Sequence, residues 1–175
     1  MKRLLAIVFV LALLAMAVLA IQRRTPGGQL PLGDVEAFRA AFEAAPGPKL
    51  LLLLSPTCPT CLQTAQDVQR ALQDNGQASV RVFALWTNVL RWDRLGPTQK
   101  ALGRLHDGRV SQYSDPGNRA AEALCASTPA LGAMCSQSST LYGGVLYFEP
   151  GARWGDSPSW AGFDELPPQF NKMTR

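Results

Sequence analysis

The early part of the chain has a hydrophobic pattern that predicts two helices alternating with two strands. Residues 34–45 carry an apolar stripe in which hydrophobic side chains recur at three- and four-residue steps. The run from Lys49 to Leu54 is almost wholly apolar, which is typical of a strand buried on both faces. A second striped helix is expected at residues 58–72, and a second strand at residues 79–87. This order predicts an α/β fold in which the two strands pair in parallel in a sheet flanked by helices.

Beyond residue 87 the periodicity weakens, and the predicted elements are shorter. Trp92, Asp93 and Arg94 are expected to organise a loop rather than to form a catalytic set. After Pro150 the chain is rich in aromatic residues and proline and shows no period. The expected elements are a loop at 88–96, a short helix at 97–106, an edge strand at 109–113, a helix at 118–126 and a last strand at 145–148.

The N-terminal segment is apolar enough to direct export. Leu4 to Ile21 is a run of 18 uncharged residues with basic pairs on both sides. A secretory signal has an apolar stretch of about 7–15 residues, and a membrane-spanning helix needs about 17–25. We favour an uncleaved anchor that crosses the membrane at residues 4–21, and a cleaved signal peptide is the alternative. The predicted organisation is an anchor or signal at 1–24, a linker at 25–33 and one domain at 34–175.

Export places the domain in the periplasm or outside the cell, either anchored or secreted after cleavage. The charge balance gives no reason to expect a nucleic-acid partner. The chain has 17 basic and 13 acidic residues, but four of the basic residues lie before Thr25 and all the acidic residues lie after it. The domain therefore has no net charge, and it lacks the basic cluster that nucleic-acid binding requires.

The central chemical feature is the motif Cys58-Pro59-Thr60-Cys61, which lies between the buried strand and the second helix. The first N–H groups of a helix have no intrahelical partner, and the helix dipole is positive there, so a thiolate at Cys58 is stabilised. A spacing of three residues places both sulfurs on one helix face. We expect Cys58 to be the exposed nucleophile and Cys61 the resolving thiol. Thr57, Pro59 and Thr60 are expected to set the local backbone and the reduction potential.

These residues, with the strand before them and the helix and strand after them, resemble the thioredoxin-like superfamily. The resemblance covers residues 34–87 well and residues 97–149 loosely. It implies a central sheet flanked by helices, and an activity that reduces, oxidises or isomerises disulfides in partner proteins. It also implies a cis-proline facing the cysteine pair. Pro129 is the nearest candidate for that proline, and an ordinary turn proline is the alternative.

The other two cysteines, Cys125 and Cys135, are expected to form a structural disulfide that pins a loop rich in Ser, Thr and Gly. Free thiols or a second redox relay are the alternatives. A zinc site would need closely spaced cysteines in both halves, and haem attachment would need histidine where Leu62 stands. We therefore expect no metal and no cofactor.

Three functions remain open at this stage. The favoured one is thiol–disulfide exchange with protein substrates outside the cytoplasm. A thioredoxin-like domain that binds a partner without catalysis is the second. Copper delivery is the third, and it would call on His106, the one histidine of the chain.

Overall fold

A mixed sheet of five strands forms the centre of the protein in the computed structural model, which describes residues 35–74, 79–135, 141–168 and 170. The strands are β1 Lys49–Leu54, β2 Arg81–Thr87, β3 Val110–Asp115, β4 Gly144–Phe148 and β5 Trp160–Phe163. Their order in the sheet is β3-β2-β1-β4-β5. β1 pairs in parallel with β2, and β2 with β3, whereas β4 is antiparallel to both β1 and β5.

Helices cover both faces of this sheet. The α-helices of the described chain are α1 Val35–Ala44, α2 Pro59–Asp74, α3 Gln99–Leu102, α4 Arg119–Ser127 and α5 Gly132–Cys135, and short 3₁₀ helices occupy Arg91–Leu95 and Pro129–Leu131. The predicted α/β arrangement with parallel pairing of the first two strands is confirmed. The predicted strand at 109–113 is also confirmed, as the edge strand β3.

β1 is the most buried element, because every residue in it is inaccessible to water. Side chains alternate across a strand, so Leu50, Leu52 and Leu54 pack beneath α2, while Leu51 and Leu53 pack beneath α1 and α4. Complete burial of a leucine side chain contributes about 1.5–3 kcal/mol to folding. The leucine run thus joins the two hydrophobic layers into one core.

Lys49, the first residue of β1, is a charged residue with no exposed surface. Its Nζ donates a hydrogen bond of 2.9 Å to the carbonyl of Ala152 and lies 5.2 Å from the ring centroid of Phe42. Burial lowers the pKa of Lys49, while the charges of Asp156 and Glu43 oppose that shift. The apolar pattern at 49–54 therefore includes one ammonium group, which the aromatic ring and the carbonyl accommodate.

Several predictions about local structure need correction, and others concern residues outside the described ranges. β5 was not predicted, because four residues of a proline-rich tail are too few to show a period. The loop at 88–96 contains a 3₁₀ helix. The expected anchor at residues 4–21 and the linker at 25–33 lie outside the described residues. Within the described part of the chain, no helix has the length and apolarity to cross a bilayer.

The expected role of Pro129 is wrong, because no peptide bond in the described residues is cis. Pro129 is exposed and begins the short 3₁₀ helix that ends at Leu131. Leu131 packs into the core layer beneath α1 and α4, whereas Cys61 belongs to the layer beneath α2. Pro129 is thus a turn proline on the side of the sheet opposite Cys61.

The disulfide predicted between Cys125 and Cys135 is present and links α4 to α5, with Cα atoms 5.9 Å apart. Both cysteines pack against the core layer beneath α1 and α4. The segment between them contains the Pro129–Leu131 helix, whose Leu131 is buried in that layer. The crosslink therefore joins the two ends of a short segment that itself packs against the core.

We predict that the double variant Cys125→Ala and Cys135→Ala lowers the free energy of unfolding by about 2–3 kcal/mol, as expected for closing a loop of this length in the unfolded chain. Urea denaturation followed by circular dichroism measures the change. Reduction of the wild type should give a similar loss. An unchanged denaturation midpoint in the double variant would show that the crosslink does not stabilise the domain.

Candidate functional site

Cys58 and Cys61 lie at the junction between the end of β1 and the start of α2. Three residues, Ser55 to Thr57, turn the chain after Leu54, and the backbone N–H of Cys58 donates to the carbonyl of Ser55 at 3.3 Å. The carbonyl of Cys58 accepts the N–H of Leu62 at 3.0 Å, which makes Cys58 the N-cap of α2. Pro59 occupies the first helical position, where its missing N–H costs no hydrogen bond.

The two cysteines differ in exposure. Cys58 is partly exposed, and Cys61, one turn into the helix, has no exposed surface. Both are free thiols. An external reagent or protein can therefore reach the sulfur of Cys58, and it reaches Cys61 only after the site rearranges or through Cys58 itself.

The surroundings of Cys58 favour its thiolate. Burial alone would raise the pKa of Cys58, yet hydrogen bonds from Thr60 and Cys61 outweigh burial and lower that pKa below the usual range of a thiol. The Thr60 hydroxyl oxygen lies 3.1 Å from the Cys58 sulfur. The backbone N–H groups of Thr60 and Cys61 also donate to that sulfur. These unpaired N–H groups belong to the first turn of α2, where the helix dipole is positive.

Cys61 has the opposite tendency. Burial is the main cause that raises the pKa of Cys61 to about 12, and the nearby Cys58 and Asp164 add to the rise. A backbone hydrogen bond from Ser55 opposes the shift without cancelling it. The pair thus contains one thiol whose pKa is lowered and one that stays protonated at neutral pH.

Asp164 brings a carboxylate to the buried side of the pair, although it is 103 residues away from Cys61 in the chain. It follows β5, and its backbone N–H donates to the carbonyl of Gly143 at 2.8 Å. The hydroxyl of Thr64 lies 3.5 Å from an oxygen of Asp164. Asp164 adopts a left-handed backbone conformation, with φ of 51°, that turns the chain back towards α2.

A second carboxylate, Asp93, holds the turn that precedes Cys58. Its Oδ1 accepts hydrogen bonds from the Ser55 hydroxyl (3.0 Å), the Thr57 N–H (3.2 Å) and the Thr57 hydroxyl (2.6 Å). Its Oδ2 accepts the N–H groups of Val89 at 3.0 Å and Leu90 at 2.7 Å. Asp93 is 1 % exposed, so these five donors replace the water that a carboxylate otherwise binds. Asp93 therefore ties the cysteine turn to the Arg91–Leu95 helix.

The structure brings most of the predicted site residues together. Thr57, Pro59 and Thr60 lie beside Cys58, as Thr57 binds Asp93 and Thr60 binds the sulfur. The Cys125–Cys135 disulfide packs against the other core layer, and Pro129 is exposed on that side of the sheet. The backbone N–H of His106 binds Gln69, two turns of α2 beyond Cys61, and its ring contacts the carbonyl of Gly103. Among the described residues no group of three or more histidine, cysteine and acidic side chains could hold a metal ion.

Sequence reasoning missed two features of the site. It anticipated Asp93 as a loop organiser, but not that Asp93 binds the turn before Cys58. It assigned no carboxylate to Cys61, because Asp164 lies in the aperiodic tail. A positive signal for Asp164 would have required knowing that β5 pairs with β4 and returns the chain to the end of β1.

Comparison with known proteins adds no further constraint. The chain matches no protein-family model, no curated protein and no solved structure.

We predict that alkylation separates the two thiols by pH. Since the pKa of Cys58 is lowered, iodoacetamide should modify Cys58 first, with a rate that reaches its plateau below the pH expected for a free thiol. Cys61 should stay unmodified in the native protein well above that pH, because it is buried and its pKa is raised to about 12. Peptide mass mapping over a pH series measures both rates. Thr60→Val removes one donor to the sulfur and should move the Cys58 profile to higher pH, whereas equal profiles for the two cysteines would contradict the assignment.

We also predict that Asp93→Asn lowers the free energy of unfolding by about 2–3 kcal/mol, because an amide offers an NH₂ group to a site that presents only donors. Denaturant titration measures the loss. Asp67→Asn is the matched control, since Asp67 is a surface residue of α2 whose partners Gln63 and Arg70 are exposed. We expect a change within about 0.5 kcal/mol for that variant. A loss at Asp93 no larger than at Asp67 would show that the buried carboxylate does not secure the turn.

Proposed function

We propose that this domain carries out thiol–disulfide exchange with partner proteins through Cys58 and Cys61, as a thioredoxin-like protein. The observation that carries the proposal is the contrast between the two thiols. One is accessible, caps a helix and has a lowered pKa, and the other is buried one turn below with a pKa raised to about 12. A pair that served only as a staple would need neither difference.

The reaction runs in two exchange steps. The Cys58 thiolate attacks one sulfur of a partner disulfide, so that an S–S bond forms between Cys58 and the partner while the partner's second sulfur leaves as a thiolate. Cys61 then loses its proton and attacks the Cys58 sulfur, which forms the Cys58–Cys61 disulfide and releases the partner's first sulfur. The partner gains two electrons and the domain loses two. The reverse sequence oxidises a partner dithiol.

The raised pKa of Cys61 has a use in this scheme. While Cys58 is a thiolate, a second negative charge beside it is disfavoured, so Cys61 stays protonated. Cys58 is then the one thiolate that attacks the partner. Once Cys58 is in a mixed disulfide its charge is gone, which removes one cause of the raised pKa of Cys61. The proton can then pass to the departing partner thiolate, or to the carboxylate of Asp164, which stands near Cys61.

An extracytoplasmic location is part of the proposal. The Cys125–Cys135 disulfide supports it, because disulfides persist in oxidising compartments and are rare in the cytosol. The apolar segment at residues 4–21 with its flanking basic pairs supports it from the sequence. In this arrangement the membrane or the export route brings the domain to its partners, and the chemistry needs no cofactor.

We predict that Cys61→Ser accumulates mixed disulfides with partner proteins and that Cys58→Ser does not. Serine at 61 allows the first exchange step and blocks the second, whereas serine at 58 removes the nucleophile. Expression of tagged full-length variants, followed by acid quenching and non-reducing electrophoresis with mass spectrometry, measures the trapped species. Reduction of insulin by the wild type, and its loss in both variants, provides the activity readout.

The same experiment distinguishes a domain of this fold that only binds its partner. Such a domain would give no adduct at Cys61→Ser and no insulin reduction, and would still retain partners without a covalent bond. Cys125→Ala with Cys135→Ala is the control for nonspecific disulfides, because it removes two cysteines and leaves the proposed redox pair intact.

A further inference from the structure

The exposed large hydrophobic side chains of the described chain lie at the same end of the sheet, where β1 and β2 finish. Three are present: Trp92 at 71 % exposed, Leu95 at 94 % and Phe163 at 43 %. Trp92 and Leu95 belong to the 3₁₀ helix that Asp93 fastens to the turn before Cys58. Phe163 is the last residue of β5 and pairs with Gly144. It lies at the end of the sheet where β1 leads into the turn before Cys58. Apolar surface of this kind marks an interaction site when it is concentrated at one place.

The Arg91–Leu95 helix, which we name the platform, is held rigidly beside the nucleophile. Asp93 points inward and binds Ser55 and Thr57, the residues that lead directly to Cys58. Its neighbours in the helix, Trp92 and Arg94, therefore lie on the outside. Because Asp93, the one acidic residue of the platform, is buried, the apolar and basic residues of the platform face the solvent. A segment bound to Cys58 lies next to this surface.

The charges on the two sides of Cys58 are opposite. Arg91 and Arg94 are exposed on the platform, and the Arg91 guanidinium lies 5.3 Å from the ring centroid of Trp92. Asp93 is buried, so the two guanidinium groups are the charges that the platform exposes to solvent. On the side of Cys61, Asp164 and Glu165 are exposed after Phe163.

We propose that the platform binds the segment of a partner protein that flanks the reactive cysteine of that partner. The segment carries an apolar and an acidic residue on the side that meets Trp92, Leu95, Arg91 and Arg94, and a basic residue on the side that meets Asp164 and Glu165. This inference deepens the proposed exchange function and rests on it for the identity of the partner. Charge complementarity along the bound segment fixes its direction over Cys58.

A polypeptide fits this surface better than a membrane does. Anionic lipid would be attracted to the platform but repelled by Asp164 and Glu165 on the other side of the cysteine. Tryptophan and arginine are also the residues that contribute most often to protein–protein hot spots. The combination of an exposed tryptophan, two arginines and a reachable thiol therefore indicates recognition of a cysteine-containing chain.

The test measures binding without any exchange chemistry. The probe is a synthetic peptide with glutamate and leucine on one side of a serine and phenylalanine and lysine on the other, offered to the full chain together with its reversed sequence. Each of the two peptides has its own charge-swapped peptide as the control, in which lysine and glutamate are exchanged and the apolar residues stay in place. Isothermal titration should show that the first design binds in one of its two directions. Salt should lower its affinity, and Trp92→Ala should lower its affinity at least about tenfold.

Matched variants locate the site. Arg91→Glu with Arg94→Glu should weaken the peptide at least about tenfold and improve binding of the charge-swapped peptide. Arg153→Glu is the control, because Arg153 is exposed near Ala152 at the opposite end of β1 and should leave both affinities unchanged. Circular dichroism should show the wild-type fold in the Arg91, Arg94 and Trp92 variants, which shows that lost binding does not come from unfolding.

Failure of this inference and failure of the proposed function give different results. If the peptides show no dependence on charge order or on Trp92 while insulin is still reduced, the platform is not a recognition surface. If the peptide binds as described and no mixed disulfide is trapped at Cys61→Ser, recognition stands and exchange does not. Binding to anionic vesicles that depends on Trp92, with no binding of any peptide, would overturn the inference in favour of a membrane contact.

Discussion

One buried carboxylate, Asp93, holds the arrangement on which the site depends. It joins the turn between β1 and Cys58 to a helix that follows β2, across 36 residues of sequence, through five accepted hydrogen bonds. A carboxylate taken out of water needs such partners, since an unpaired buried charge costs several kcal/mol. The same requirement fixes both the approach of the chain to Cys58 and the position of the exposed residues that flank Asp93 in the chain.

The reactivity of the cysteine pair follows from its position between the end of the buried strand β1 and the first turn of α2. β1 lies wholly within the core, so the chain leaves it only at its end, and there the first turn of α2 presents free N–H groups. Cys58, at the cap, receives those groups and keeps contact with solvent, while Cys61, one turn further, is covered by the layer beneath α2. A displacement of one helical turn thus gives two chemically identical side chains opposite pKa shifts.

The sequence and the tertiary structure contributed different parts of this description. Periodicity located β1, α1, α2 and β2, because the burial that shapes each of them is repeated along a single segment of chain. It failed for β5, whose four residues are too short for a period. The resemblance to thioredoxin-like proteins suggested Pro129 as a cis-proline, but its place in the fold depends on which core layer the nearby Leu131 joins. Cys125 and Cys135 could be paired from the sequence since few alternatives existed for them.

The amino-acid sequence by itself determined that a buried strand runs into a helix through Cys58 and Cys61, because apolar runs and helix signals are local properties. Only the tertiary structure decided which distant groups stand beside that pair. Asp164 meets Thr64 from 100 residues away, and Asp93 turns inward while Trp92 turns outward. The reason is physical: strand pairing and buried hydrogen bonds join residues far apart in the chain, and no local pattern of hydrophobicity records which partners they will have.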